Sequence, residues 1–467
     1  MKNYFTFFLC LFLGTTNAIT FQIGIDKPYS SPNELYSENV VNDGDTIEID
    51  AADYVGNAAL AVWQKNDLLI RGVGGRPHLK VNGEYIWGKG IWVFAGNNIT
   101  VENIEFSGAT VPDENGAGIR LDGEGVTVRY CYFHDNENGV LTSNPYAGDI
   151  LVEHSEFAHN GFGGGFTHNI YVGHVNSLTF RYNYTHHTKV GHCIKSRANE
   201  NYILYNRIMD EDSGFSSRLI DLSNGGFSIV MGNLMMQGTE AINNNLLGYG
   251  LEGVSNDGPN ELYFINNTCV NERIASCVFV HLAEETELSV IANNIFAGGG
   301  TILNGEASSF TNNTASSIED FDFVDIDNFD YHLLENSVAI EAGTLLSTAN
   351  GISLIADKSY LHPTDFTERT LVGNQIDVGA YEYGVVSSVE EYGKIEGLIY
   401  PNPTTDFLVL PKLLENGNFE IVTINGKRVK EGVLKNDKLI LTDLVAGYYL
   451  LIVEKNGNFN FYNFYKN

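Results

Sequence analysis

The chain has 467 residues and a formal net charge of −31 at pH 7, with 58 Asp and Glu against 27 Lys and Arg. A surface this acidic repels phosphate backbones, so nucleic acid is not expected as a partner. The 49 glycines and the short apolar groups, separated by Gly, Asn and Asp, are typical of strands and turns. We therefore expect an all-β protein.

The first eighteen residues have the pattern of a secretory signal peptide. Lys2 provides a positive start, the apolar run YFTFFLCLFLG follows, and TTNA ends in small residues at Ala18. We predict a signal peptide over residues 1–18, with cleavage after Ala18. The apolar run is too short to cross a bilayer, and we expect no transmembrane segment later in the chain.

Four cysteines remain after this leader, and they are far apart in the chain. They are Cys131, Cys193, Cys269 and Cys277. Each stands inside a strand-like run, without a CxxC pair or a zinc-site spacing. We interpret them as small buried residues and expect no disulfide framework.

One sequence unit recurs from about residue 99 to residue 315. It is a short apolar run with a small or amide residue at a fixed place, and successive units are spaced by 19 to 34 residues. The aligned positions are Cys131, Ser155, Asn183, Asn206, Asn233, Asn267, Asn294 and Asn313. A coil of three short strands needs about that many residues, and a buried Asn can bond both its own turn and the Asn of the next coil.

This repeat predicts a right-handed parallel β-helix. Leucine-rich repeats have a similar length, but their regular Leu pattern is absent here. A propeller would need about four strands in every 40–45 residues, which the spacing does not provide.

Residues 168–207 differ in charge from the rest of the chain. This window, HNIYVGHVNSLTFRYNYTHHTKVGHCIKSRANENYILYNR, contains five bases, one acid and five of the twelve histidines. The bases are Arg181, Lys189, Lys195, Arg197 and Arg207, and the acid is Glu200. An anionic substrate of so acidic a protein needs a locally basic patch, and this window is the best candidate for it.

Because strand side chains alternate between core and solvent, the coils can be aligned on their buried residues. The aligned residues are Ile119, Val140, Ile170, Ile194 and Ile220. This register predicts an outward column of Arg120, Leu141, Tyr171, Lys195 and Asp221, and two residues later a second column of Asp122, Ser143, Gly173, Arg197 and Ser223. We expect Tyr171, Lys195 and Arg197 to face solvent together, with Asn169 beside them. His168 and His192 fall on the core side, at strand edges from which either could open onto the same surface.

A cationic face on an exported β-helix suits an acidic polysaccharide, and a uronate chain can be cleaved there by β-elimination. That reaction needs a clamp on the carboxylate, a base for the C5 proton and an acid for the departing O4. We expect Arg197, with Asn169, to hold the carboxylate, because a guanidinium matches a carboxylate in a bidentate way.

The two proton-transfer roles have several candidates. Lys195 is the expected base if cationic neighbours favour its neutral amine, and His192 and His168 are alternatives. Tyr171 or His174 is the expected acid. The predicted catalytic residues are therefore Lys195, Arg197, His192, Tyr171 and His168, and the predicted substrate-binding residues are Asn169, His174, Arg120, Arg218 and Asp221.

The window also resembles a known group of proteins. Its segments HNIYVGH, KVGH, KSRA and YNR, followed by NGG at 224–226, resemble polysaccharide lyase-like β-helix proteins of the pectate-lyase-like superfamily. GDTIEID and LLIRGVGGRPHLK resemble the first coils of such proteins, and DYHLLENSVAIEAG and DVGAYEYG resemble a closing segment. The resemblance implies a β-helix domain over residues 19–385 and a lyase that acts on an acidic polysaccharide.

Familiar lyases of this kind use a Lys and an Arg on neighbouring coils, sometimes with calcium. Lys195 and Arg197 share one coil, so their roles do not carry over directly. Calcium remains an alternative, with oxygen ligands available in NDGDTIEID and in DEDSG at 210–214. We expect no other metal and no cofactor.

We predict that the C-terminal end forms a separate domain. Residues 386–396 are polar and predict a linker, and alternating strands with Asn-Gly and Ala-Gly turns follow over 397–467, which predicts a small β-sandwich. YPNP, INGKRV and LVAGYYLLIV resemble the C-terminal sorting domain of type IX secretion cargo. The resemblance implies recognition by the type IX secretion machinery and a secreted or cell-surface protein, which we expect to be a monomer.

Three alternatives to a lyase remain open. A glycoside hydrolase would need two or three acids on one face, for which Asp210, Asp212 and Asp221 are candidates. A C5-epimerase would use nearly the same site as a lyase. A surface β-helix that binds glycans without catalysis would need no imidazoles grouped with Lys and Arg.

Overall fold

The computed structural model describes residues 18–143, 147–384 and 404–466, the last range with gaps at 411–413, 415, 424–426, 446 and 456–457. The predicted signal peptide, apart from Ala18, and the predicted linker 386–396 lie outside these residues. The chain divides into two compact units between residues 385 and 386.

The first unit is a coil of three long parallel sheets. A twelve-stranded sheet contains Thr20–Ile23, Thr46–Asp50, Leu69–Val73, Ile99–Glu102, Val126–Arg129, Asp149–Glu153, Ser177–Arg181, Glu200–Leu204, Phe227–Met231, Glu261–Ile265, Leu288–Ala292 and Ser309–Thr311. A ten-stranded sheet contains Ala61–Trp63, Gly90–Phe94, Ala117–Leu121, Asn138–Thr142, Ile170–Val172, Ile194–Ser196, Ile220–Leu222, Asn245–Tyr249, Val278–Leu282 and Thr301–Asn304. An eleven-stranded sheet contains Asp53–Val55, His78–Lys80, Glu105–Ser107, Tyr132–His134, Glu156–Ala158, Tyr184–His186, Arg207–Met209, Leu234–Gln237, Thr268–Asn271, Ile295–Ala297 and Thr314–Ser316. Successive coils contribute one strand to each sheet, which is the predicted parallel β-helix.

Shorter elements complete this unit. The helix Pro32–Glu38 begins at the N-cap Ser31 and buries Leu35 in the core, and 3-10 turns lie at Gly56–Ala59 and Glu319–Phe321. The antiparallel pairs are Phe323–Asp325 with Asp330–Leu333, Thr348–Ala349 with Ile352–Ser353, and Lys358–Leu361 with Asp365–Glu368. No helix among the described residues has the length and apolarity that a membrane crossing needs.

The second unit consists of antiparallel strands. Phe407–Val409 pairs with Lys438–Ile440, and a four-stranded sheet contains Arg428–Val433, Asn418–Thr423, Gly447–Lys455 and Asn458–Lys466 in spatial order. The apolar side chains of these strands form a core of their own, which includes Leu408, Ile421 and Leu451.

The interior of the coil is filled by side chains that stack in register from coil to coil. Phe106, Phe133 and Phe157 occupy equivalent positions of the eleven-stranded sheet, and Phe180 continues their stack. Successive ring centroids are 5.0, 4.9 and 5.9 Å apart, and all four rings are fully buried. The four cysteines after the leader are buried and unpaired, as interpreted from the sequence.

The predicted polar ladder runs along one corner of the coil. The backbone N–H of each ladder residue donates to the side-chain oxygen of the next, at 2.8 to 3.1 Å, from Cys131 to Asn313. Its members are Cys131, Ser155, Asn183, Asn206, Asn233, Asn267, Asn294 and Asn313. These bonds satisfy buried backbone groups that no sheet reaches, so the prediction from the repeat is confirmed.

The ladder also stabilises a tight turn. The residue before a ladder position is left-handed at Tyr130, His154, Tyr182 and Tyr205, with φ between 50° and 58°. A non-glycine residue in this conformation costs about 1 kcal/mol or more. The hydrogen bonds of the following residue offset that cost in every coil.

Removal of one ladder amide tests this role. In Asn206→Ala the buried N–H of Asn183 loses its acceptor, and Phe180 O and Asn233 Oδ1 lose a donor. We expect the free energy of unfolding to fall by about 3 kcal/mol in denaturant titrations. Asn328→Ala, at an exposed turn, is the control and should change it by less than about 0.5 kcal/mol. Equal effects of the two substitutions would contradict a structural role for the ladder.

Candidate active site

The strands of the ten-stranded sheet bring residues from distant parts of the window into one column. Leu141 pairs with Tyr171, Tyr171 with Lys195, and Lys195 with Asp221. Arg120 pairs with Leu141 on the preceding coil. The predicted outward column is therefore confirmed in register.

Lys195 and Arg197 both lie against Tyr171, the third residue expected in this surface group. The Nε of Arg197 donates to the hydroxyl of Tyr171 at 2.9 Å. The Arg197 guanidinium carbon lies 5.8 Å from the centroid of the Tyr171 ring, and the Lys195 ammonium nitrogen lies 5.9 Å from it. Both cations therefore lie against the aromatic face, where they are attracted to its π electrons.

Lys195 is less exposed than the sequence predicts. Its residue is 7% exposed, and its ammonium is 3.1 Å from Asp221 Oδ2 and bonds the carboxylate of Glu252. Its ion-pair partners are thus two carboxylates: that of Asp221, which the predicted column places beside Lys195, and that of Glu252, which the sequence did not predict. The expectation of an open column failed because the segment 250–259 crosses it.

This segment is held over the column by side-chain amides. Asn224 donates to Gly253 O at 3.1 Å and to Ser255 Oγ at 2.9 Å. Asn256 donates to Ala198 O at 2.8 Å. The segment thus lies across the second outward column. We call residues 250–259 the strap.

Glu252 on the strap is the functional candidate that sequence reasoning missed. Its carboxylate bridges Lys195 and Arg197 with one oxygen on each cation, and 40% of its side chain is exposed. The two cations lower the pKa of Glu252, although burial acts in the opposite direction. The signal in the sequence was the spacing of 34 residues between Asn233 and Asn267, the longest of the repeat, which marks an insertion.

Asp221 lies beneath Lys195 and is 0% exposed. It bonds Arg218 Nη1 at 3.0 Å, accepts from Ser223 Oγ at 2.7 Å, and is 3.6 Å from His192 Nε2. Burial alone would raise its pKa, but His192, Lys195 and Arg218 outweigh burial and lower the pKa to about 2. Asp221 was predicted to bind substrate; it is fully buried, and Lys195, Arg218 and Ser223 are its hydrogen-bond partners among the described residues.

His168 and His192 form a buried stacked pair with ring centroids 4.9 Å apart and an interplanar angle of 6°. His168 Nδ1 accepts from the backbone N–H of His192 at 2.9 Å, and His192 Nδ1 accepts from that of Arg218 at 3.1 Å. Burial lowers the pKa of His192 to about 4 and that of His168 well below its usual value. Both rings are therefore neutral near pH 7, and because each Nδ1 accepts a hydrogen bond, the proton of each ring is on Nε2.

Three other predicted substrate-binding residues lie in different surroundings. Asn169 is fully buried and donates to Thr185 Oγ1 and Thr188 Oγ1 at 2.7 and 2.9 Å, which corrects its expected place beside Arg197. Arg120 lies three coils before Lys195 and bonds Asp122 and Ser143. His174 lines a neighbouring cleft of about 350 Å³ that also contains Asn176, Asn199 and Asn256.

Arg218 joins the cluster through Asp221 and not through the strap. Gly248, its neighbour on the next coil, leaves room for it, because a Cβ there would lie 3.2 Å from Arg218 Nε. This Nε is buried and has no hydrogen-bond partner among the described residues. The guanidinium of Arg218 therefore contributes to the cluster through the Nη1 bond to Asp221.

The carboxylates named for the competing predictions do not meet in a second site. Asp210 accepts from Ser216 Oγ at 2.9 Å and from Gly238 N at 3.1 Å, whereas Asp212 bonds His187 at 3.2 Å. Asp45 belongs to NDGDTIEID, one of the two segments considered for calcium, and accepts hydrogen bonds from two backbone N–H groups at 2.7 Å. The three expected hydrolase acids share no hydrogen-bond or ion-pair partner among the described residues, and Asp45 and Asp210 accept hydrogen bonds from groups of the fold itself.

A larger cleft, of about 650 Å³, lies along the twelve-stranded sheet. Its lining includes Asp149, Glu200, Asp257 and Glu261 and no Lys or Arg. Such a lining repels an anionic chain, so the cationic cluster is the better candidate for an acidic ligand.

The buried histidines predict a specific loss of stability in acid. The unfolded chain protonates His192 near pH 6.5, whereas the folded chain does so only near pH 4, so stability falls as the pH decreases through this interval. The contribution of His192 is on the order of 3 kcal/mol. His192→Gln, which keeps an acceptor for Arg218 N, should flatten unfolding free energy against pH between these values. An unchanged slope in the variant would contradict a buried neutral imidazole.

Comparison with known proteins agrees with this architecture. Residues 40–169 and 75–208 match the family model of the right handed beta helix region, and residues 398–463 match that of the secretion system C-terminal sorting domain. Among solved structures, pectate lyase Pel9A is similar, with a TM-score of 0.45 and 15% identity, over 79% of this chain and 97% of that chain. The comparison with curated proteins finds no match. The chain is therefore a right-handed parallel β-helix protein with a C-terminal secretion sorting domain, which directs it to secretion or to the cell surface.

Proposed function

We propose that the protein is a polysaccharide lyase that cleaves a uronate-containing polysaccharide by β-elimination. The observation that carries this proposal is the carboxylate of Glu252, which bridges Lys195 and Arg197. Two cations that share one carboxylate form a site in which the carboxylate of a uronate can replace that of Glu252. The strap residue thus marks where the substrate group binds.

Neutralisation of that carboxylate is the first requirement of the reaction. Charge-assisted bonds from Arg197 withdraw electron density from C5 and stabilise the negative charge that develops when its proton leaves. The electron pair of the C5–H bond then forms the C4–C5 double bond, the C4–O4 bond breaks, and O4 receives a proton. No water is consumed in this step.

Tyr171 is placed to supply the proton to O4. Its hydroxyl oxygen accepts a hydrogen bond from Arg197, so the hydroxyl hydrogen is free to point toward a substrate. His174 is the alternative acid, at the adjoining cleft. Arg120, Arg218 and His174 would hold neighbouring sugar residues along the sheet.

We assign the base to Lys195. The Nδ1 atoms of His168 and His192 are occupied by backbone N–H groups, and their Nε2 atoms carry hydrogens. These rings can donate to a substrate oxygen but accept a proton only after a change of tautomer. Lys195 loses the contact with Glu252 when a substrate carboxylate displaces it, and its Nζ is then the nitrogen of the column that can meet the C5 hydrogen.

A glycoside hydrolase is less consistent with these carboxylates. Such an enzyme needs one carboxyl group that stays protonated, with a raised pKa. The pKa values of Asp221 and Glu252, the two acids around Lys195, are both lowered by the neighbouring cations, which outweigh burial. A C5-epimerase would share the lyase site and differs in its product, which has no double bond.

Substitutions in the column test the proposal on the purified full-length protein with a panel of uronate polysaccharides. The wild type should generate the ultraviolet absorbance of an unsaturated uronate. Lys195→Ala and Tyr171→Phe should reduce its rate at least about 100-fold, because each removes a proton-transfer group. Arg181→Ala and Tyr202→Phe, on the twelve-stranded sheet, are matched controls and should retain the rate.

Other products would contradict the proposal in distinct ways. New reducing ends without the absorbance would indicate a hydrolase, and a changed uronate configuration without cleavage would indicate an epimerase. Binding without any product would indicate a glycan-binding protein.

The strap provides a second test. Glu252→Gln removes the negative charge that competes with the substrate carboxylate, while the side chain keeps its size. We expect KM for the polysaccharide to fall by roughly tenfold, which corresponds to about 1.4 kcal/mol. Glu284→Gln, at an exposed turn, is the control. A rise in KM would show that Glu252 assists binding instead of competing with it.

A further inference from the structure

A second group of histidines lies on the eleven-stranded sheet, apart from the column that carries Lys195. His186 ends the strand Tyr184–His186, His187 follows it, and Glu211 lies two residues after the strand Arg207–Met209 of the next coil. The Nδ1 atoms of His186 and His187 are 2.5 Å apart, and Glu211 Oε2 is 3.8 Å from His187 Nδ1. Three potential ligand atoms therefore converge within 4.8 Å of one another.

The outer nitrogens of both rings are held by carboxylates. His186 Nε2 is 3.2 Å from Glu156 Oε1, and His187 Nε2 is 3.2 Å from Asp212 Oδ1. An ionised carboxylate only accepts hydrogen bonds, so each Nε2 carries a hydrogen. The two Nδ1 atoms face each other at 2.5 Å, a separation that requires a proton or a metal ion between their lone pairs.

We propose that His186, His187 and Glu211 bind one divalent transition-metal ion, with zinc as the best match. Two imidazole nitrogens and one carboxylate oxygen are a donor set that zinc accepts, whereas calcium prefers oxygen ligands alone. Zinc at about 2.0–2.1 Å from each nitrogen requires the two nitrogens to be about 3.3 Å apart, so the rings need to separate by less than about 1 Å. A fourth position is left for water or for His159, whose ring centroid is 5.1 Å from that of His187.

The surroundings of the ligands match those of metal sites. Histidine ligands in proteins commonly donate their other N–H to a carboxylate, which fixes the ring and its tautomer. Glu156 and Asp212 have this position here. Glu211 is oriented by Arg207 Nη2 at 3.2 Å and by the Tyr184 hydroxyl, both of which bond its other oxygen.

The group His78, Glu105 and His134 on the same sheet provides a contrast. His134 bonds Glu105 through Nε2 at 3.0 Å and Asp135 through Nδ1 at 2.9 Å, so both of its nitrogens donate to carboxylates. Burial lowers the pKa of His134, but these two hydrogen bonds outweigh burial and raise it. No lone pair of His134 is free for a metal, so this group is an ion-pair network and serves as a matched control.

The ion would join two consecutive connections of the coil. His187 and His192 belong to the connection between Tyr184–His186 and Ile194–Ser196, whereas Glu211 and Arg218 belong to the one between Arg207–Met209 and Ile220–Leu222. A metal between His187 and Glu211 would hold both connections and thereby stabilise the coils that carry Lys195 and Asp221. This inference does not depend on the proposed lyase reaction.

Metal binding can be measured directly on the full-length protein after removal of metals with a chelator. Titration with Zn²⁺ at neutral pH should show about one equivalent bound with micromolar or tighter affinity, together with a higher melting temperature. Co²⁺ should bind at the same site and show the visible absorption of a tetrahedral or five-coordinate ion with nitrogen ligands. Absence of tight Zn²⁺ binding by the folded wild type would overturn the proposal.

Variants locate the site. His187→Ala should abolish the tight equivalent, and Asp212→Asn, which leaves all three ligands in place, should weaken it at least tenfold. His134→Ala should bind as the wild type does. If His187→Ala fails to fold, Asp212→Asn decides the question, and wild-type affinity in that variant, or a loss of binding in His134→Ala, would contradict the assignment.

Discussion

The hydrogen bonds between stacked turns are the constraint on which the rest of the molecule depends. Each ladder residue bonds the side chain of the next coil, and this bond fixes both the rise along the axis and the register of the flanking strands. Because strand side chains alternate, a slip of one residue would move every outward group into the core. The left-handed turns before the ladder are tolerated for the same reason.

The register of the stacked strands brings several cationic side chains, which are few in this acidic chain, into one buried network. Asp221 is surrounded by Lys195, Arg218 and His192. Glu252, on the strap, pairs with Lys195 from the opposite end of the network. Removal of one partner of a buried ion pair costs several kcal/mol, because the other charge is left without compensation. An incoming carboxylate avoids that cost by taking the place of Glu252, whereas a neutral sugar does not. In the proposed function, the network thereby selects for acidic chains.

Much of this arrangement is predictable from the sequence, because it follows from two repeat lengths: the number of residues in one coil and the two-residue alternation of side chains along a strand. The coil length and the strand alternation together predict the column of Tyr171, Lys195 and Asp221, and the Asn repeat predicts the ladder. The position of Asn169 is not predictable in this way, since the strand Ile170–Val172 has only three residues and the alternation ends at its corner. Glu252 lies in an insertion outside the repeat, so no periodic argument reaches it. The convergence of His186 and His187 depends on side-chain torsions, which sequence spacing does not determine.

The most direct measurement is a crystal structure of the protein with a bound oligouronate. The account predicts a sugar carboxylate on Arg197 and Lys195 in place of Glu252, with the chain running along the ten-stranded sheet and a sugar oxygen at the Tyr171 hydroxyl. An oligosaccharide bound in the acidic cleft of the twelve-stranded sheet, with Glu252 still on both cations, would contradict it.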